Sequence, residues 1–284
     1  MLCMRKAYVK NNQIALYGIM LREVFIMYII ISVSIIVSAY MIYNQMENMS
    51  RIYSCALDGI VVWCTSSMLN LGLLPVIISV FLHMHYDIYM RNVCVIKQKS
   101  RTGMWFNEQK LSLIICSVAF TWSMILSFVL AYIMNKGNIY ANVSDDLFFT
   151  NTYYGIMLSQ CTDIQAGQET LIPAINIVWV IIRVWLINML QLYMVVMAAD
   201  VIYWLSGKRL FSTIILSAMC MITAIFPKSR RYAYVLGIKV KAYSYYLEAL
   251  NINVWLKHIF IMLIIILLTN VVMSFIVKNK DMVM

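Results

Sequence analysis

Charge is scarce in this 284-residue chain: Asp, Glu, Lys and Arg make up 12% of it, where an ordinary soluble domain carries about a quarter. Acids are scarcer still, 12 against 22 basic residues. Histidine occurs three times and proline three times. The seven cysteines stand at 3, 55, 64, 94, 116, 161 and 220, never as Cys-x-x-Cys, so neither a redox pair nor a zinc ribbon is indicated. A bridge between Cys55 and Cys64 requires their loop to be extracytoplasmic; isolated apolar thiols are the simpler reading. There is no Gly-rich phosphate loop ending in Gly-Lys-Ser/Thr, no His-Glu-x-x-His, no Gly-x-Ser-x-Gly and no Gly-x-Gly-x-x-Gly. The chain therefore cannot hydrolyse ATP through a phosphate loop of its own, and it is not expected to be an enzyme. No internal repeat or low-complexity linker divides it, which leaves one domain over 1–284.

What fills the sequence is hydrocarbon: 63% of residues are hydrophobic. Five stretches of roughly 18 to 28 residues lack any charged side chain, and a sixth is broken only by Arg183 and Asp200. Val24 to Tyr43 is apolar except for three serines and three tyrosines. At about 1.5 Å rise per residue, such a run matches the roughly 30 Å hydrocarbon layer of a bilayer. The expected fold is all-α, a polytopic integral membrane protein with spans near 24–43, 66–86, 111–134, 173–199, 210–227 and 259–277. Pro75 should kink or break the upper part of the second span, and Ser206-Gly207 should separate the fourth from the fifth. The basic start, with Arg5, Lys6 and Lys10, precedes an apolar run too long for a signal-peptide core, so it reads as a retained anchor.

The net charge of +10 is expected to follow the positive-inside rule rather than to mark a nucleic-acid partner. Six spans with both ends cytoplasmic put 13 basic residues inside and 8 outside. A five-span alternative, with 210–227 re-entrant, gives 17 and 4 because it brings the basic segment 228–258 inside. Six spans are preferred because 210–226 is a continuous uncharged run ending at Pro227. Segment 135–170 is mildly acidic and polar, as an extracytoplasmic loop would be. The tyrosine-rich segment 232–255 fits an interfacial helix or hairpin, or tyrosine packing between helices.

Two groups of residues carry possible chemistry. His83, His85 and Asp87 form the one metal-like cluster, but on a helix positions i and i+2 point about 200° apart. They read as the polar cytoplasmic end of the second span, so no metal and no cofactor is expected. Arg183 and Asp200 are the intramembrane charges, which often mark function. About 25 Å apart along one helix, they cannot pair. Asp200 is expected near the inner end, within reach of water. Arg183 is deeper, facing a polar cavity, a lipid phosphate or a partner subunit, or snorkelling to an interface.

Asp87 to Lys110 reads as a cytoplasmic loop with a basic face, Arg91, Lys97, Lys99 and Arg101, followed by an interfacial anchor of Trp105, Phe106 and Lys110. The order Asp87, Arg91, Lys97, Ser100, Arg101, Trp105, Phe106, Lys110 between two spans resembles type-two ABC exporter permeases. It is most similar to the small Gram-positive permeases of bacteriocin-immunity and peptide-export systems. The resemblance implies a coupling segment near 88–104 that docks on a separate ATP-binding-cassette ATPase, an interfacial helix over 12–22, and a second permease subunit. It implies a permease in the bacterial plasma membrane, exporting a peptide, antibiotic or lipid-like substrate. A membrane anchor or immunity protein that sequesters a peptide without ATP turnover is the alternative. An intramembrane enzyme is disfavoured for want of a clustered nucleophile set. The basic 228–258 segment departs from the family pattern for an outer loop.

Six spans and five differ at Ser229. In a background stripped of other thiols, Ser229→Cys should react with an impermeant thiol reagent added outside intact cells. Labelling only after permeabilisation would support five spans.

Overall fold

The computed structural model describes residues 22–40, 56–60, 72–91, 100–134, 177–225, 232–235, 238–241 and 252–279. The segment 12–21, Lys97, Lys99, Cys55, Cys64 and the loop 135–170 lie outside the described residues. Within them the chain is helical apart from one hairpin. α1 spans Arg22–Tyr40. A single turn, α2, covers Ala56–Asp58. α3 is Leu74–Arg91, α4 Arg101–Met134, α5 Ile177–Ser206 and α6 Arg209–Ile225. Strands β1 (Tyr232–Val235) and β2 (Ile238–Lys241) pair antiparallel, Tyr232 opposite Lys241. α7 is Ile252–Asn279.

Four helices are long and apolar enough to cross a membrane: Arg22–Tyr40, Arg101–Met134, Ile181–Ser206 and Trp255–Lys278. The expected second and fifth spans correspond to shorter apolar helices, Leu74–Tyr86 and Arg209–Ala218. The outward faces support membrane residence. On α1 the residues Met27, Ile31, Ile35 and Ala39 are buried in a stripe of spacing four, while Phe25, Ile29, Val33 and Val37 point outward. α7 likewise exposes Phe260, Leu267, Leu268 and Phe275. Contiguous apolar surface of this extent marks contact with lipid or another protein. Outward hydroxyls bond within their own helix, as where Ser32 Oγ on α1 donates to the Tyr28 carbonyl and Ser117 Oγ on α4 to that of Leu113.

Several boundaries differ from expectation for identifiable reasons. α4 begins at Arg101 rather than near 111 because Ser100 caps it: its Oγ accepts from the Gly103 N–H at 3.1 Å. The helix is 34 residues long, about 51 Å. Pro75 stands in the first turn of α3, directly after the π-helical residues 72–73, so the regular α-helix is broken at the proline. α5 continues past 199 to Ser206, where Gly207 at φ +68° closes it and its N–H donates to the Tyr203 carbonyl. With only Gly207 and Lys208 between them, α5 and α6 form a tight helical hairpin, tied by Ser212 Oγ donating to the Ala199 carbonyl at 2.6 Å. Of the 232–255 segment, residues 232–241 hold the hairpin, and the chain is helical from Ile252.

α5 is the hub. It packs against α3, α4, α6 and α7, and every residue from Ile187 to Asp200 is buried. α4 approaches it with a stripe of small residues, Ser112, Cys116, Ala119, Ser123, Ser127 and Ala131. Farther along that stripe the turn after α2 comes closest. A Cβ on Gly59 would lie 2.4 Å from the Ser127 carbonyl oxygen and 2.7 Å from Ala131 Cβ. Small residues at such crossings allow backbone-to-backbone packing in lipid. Gly59→Val should therefore lower stability by about 1–3 kcal/mol, read as a lower unfolding midpoint in detergent; an unchanged midpoint would refute the close approach.

Candidate functional site

A polar cluster sits where α3 ends, α4 begins, α5 ends and α6 begins. Asp200 on α5 is its centre and is fully buried, not at a wetted inner end as expected. The extension of α5 to Ser206 places this carboxylate well inside the helix. Oδ1 lies 3.2 Å from His83 Nε2. Oδ2 accepts from Ser112 Oγ at 2.9 Å and from Gln109 Nε2 at 3.1 Å. Donors from α3 and α4 thus converge on one acceptor from α5, as burial of a carboxylate requires.

A second carboxylate lies in the same cluster. Glu108 is 5% exposed, and its Oε2 accepts from the Trp204 indole, while its Oε1 has no hydrogen-bond partner. Tyr86 ties α3 to α4: its hydroxyl is 2.7 Å from Ser112 Oγ and donates to the backbone carbonyl of Glu108 at 3.2 Å. Tyr193 OH donates to Gln109 Oε1 at 3.0 Å, which orients the amide toward Asp200. The His83 ring stacks on Tyr203, centroids 4.6 Å apart and 16° from parallel. His83 is therefore a core residue rather than an interfacial one, and its Nδ1 has no partner. Among the described residues, no group of three or more His, Cys, Asp or Glu is placed to hold a metal ion.

The other expected site residues separate into several positions. Trp105 is fully buried, not an interfacial anchor; its indole donates to Asn270 Oδ1 on α7 at 2.9 Å and packs edge-on against Trp204. The early start of α4 turns this residue into the bundle. Phe106 and Lys110 are exposed on the opposite face of the same turns. Arg91 is the last residue of α3, and Arg101 is exposed in the first turn of α4. Arg183 is half-buried near the other end of α5, its guanidinium carbon 5.9 Å from the centroid of the Trp255 ring. That indole in turn donates to the Arg183 carbonyl.

Sequence reasoning singled out Asp200 but missed Glu108, Gln109, Ser112, Tyr193 and Trp204. One signal was available. Once α4 is started at Ser100, Trp105, Glu108, Gln109 and Ser112 recur at helical spacing, and they form its buried face.

Asp200→Ala strands three donors and should cost about 3–5 kcal/mol in unfolding free energy. Asp200→Asn keeps an acceptor oxygen and should cost less, about 1–2 kcal/mol. Denaturation of both variants in the same detergent checks the order, and equal losses would contradict it. Set beside known proteins, the chain matches no protein-family model, no curated protein and no solved structure.

Proposed function

We propose that this chain is a membrane-spanning transport subunit, a permease worked by a separate ATP-binding-cassette ATPase that docks on its basic end. One observation carries the reading. The start of α1 and α4, the ends of α3 and α7, and the α5–α6 turn lie at the same end of the bundle, and they bear Arg22, Arg91, Arg101, Lys208, Arg209 and Lys278. By the positive-inside rule this end is cytoplasmic, and a helix order alternating in direction returns both chain ends to that side across six passes. The Arg91 to Arg101 connection is the docking segment, where basic side chains meet acidic groups of the ATPase. The Asp200 cluster ties the end of α3 and the start of α4 to α5, so a displacement of either helix would load the central helix.

The working unit in this reading is two permease chains in the plasma membrane of a bacterium, moving an apolar peptide, antibiotic or lipid-like cargo. Purification of the tagged chain in mild detergent should bring down an ATPase whose turnover rises in the complex. Lys97→Glu with Arg101→Glu should reduce the recovered ATPase about tenfold without affecting insertion. Full insertion with no associated ATPase would leave the anchor that sequesters a peptide.

A further inference from the structure

The buried network contains more acid than its partners satisfy. Asp200 has three hydrogen-bonding neighbours, of which His83 alone can become a cation. Glu108 has one donor on Oε2 and none on Oε1, although it is almost wholly buried. A carboxylate oxygen with no donor in apolar surroundings carries a large free-energy penalty, which a single bound proton removes. The neighbouring His83 ring faces Asp200 through Nε2, and its Nδ1 has no partner.

Both acids lie in one hydrogen-bonded cluster. His83 Nε2 lies against Asp200 Oδ1, Ser112 Oγ donates to Asp200 Oδ2, and the Tyr86 hydroxyl meets Ser112 Oγ and the backbone carbonyl of Glu108, not its carboxyl. The other titratable neighbours are Cys116 on α4 and Tyr193 and Tyr203 on α5. α6 contributes the half-buried Arg209 at its start; α7 presents the neutral Asn270 here, with Lys278 exposed at its end. Glu108 lies about 10 Å along α4 from Arg101, so water at the basic end is the nearest source.

We propose that the Glu108 carboxyl, buried with one oxygen unpartnered, is a proton-binding site. The step is a proton transfer alone: an O–H bond forms on the carboxylate as one breaks in a hydronium ion, which leaves as water. The bound species is a proton and not a metal cation, because Gln109 and Trp204 present N–H groups to the carboxylate oxygens and would repel a cation. The site does not depend on the ATPase reading above.

Acid-minus-base infrared difference spectra of the purified protein in detergent, taken in H2O and D2O, provide the test. Wild type should show, among its carboxylic-acid carbonyl bands, one shifted by D2O that is lost in Glu108→Gln while the others remain. Trp204→Phe removes the donor to Oε2 without removing the acid, and should move the titration midpoint of that band. It also gives an independent reading if Glu108→Gln fails to fold. A band unchanged in both variants would overturn the assignment. So would a spectrum that responds at fixed pH to exchange of sodium for potassium.

Discussion

Apolar side chains do not pull helices together in lipid, because the tails outside are as apolar as the helices. Association rests on close packing and on polar groups that must find partners across helices. Five tryptophans meet this constraint in the same way. Trp122 donates to Ser32 on α1, Trp185 to Thr121 on α4, Trp105 to Asn270 on α7, Trp204 to Glu108, and Trp255 to the Arg183 carbonyl. Each bond joins two helices, so the indoles act as rivets, while Ile, Val and Leu on the outer faces are left to the solvent they suit.

Asp200 is the extreme case. Its desolvation is tolerable only if α3, α4 and α5 hold one mutual register, so a single carboxylate specifies the geometry of three helices. The hub position of α5 follows, since its stretch Ile187–Asp200, buried on every side, is the one that can carry Asn188, Gln191, Tyr193 and Asp200 away from lipid. The same bonds hold the last turns of α3 and the first turns of α4 in fixed register with α5.

Much of the architecture was readable from charge-free length. That property reports solubility in hydrocarbon, and it locates α1, α4, α5 and α7 well. It does not report which face of a helix turns inward, and it ends where charge begins. Trp105 and Glu108 were therefore assigned to a loop and its anchor, although Ser100 signals a helix start just before them. Asp200 was read as wetted because a span of ordinary length would finish near 199. The Ser206-Gly207 break was visible and correct, and taking it as the end of α5 would have buried the carboxylate. Pairing of His83 with Asp200, 117 positions apart, depends on tertiary packing that no local pattern encodes.

The two-residue turn at Gly207-Lys208 also bears on biogenesis. Helices joined so tightly can pack against each other as soon as both have been synthesised. Synthesis runs from the N-terminus, so His83, Gln109 and Ser112 are already made when Asp200 emerges. The one carboxylate that most needs company in lipid is thus delivered last, with its hosts already waiting.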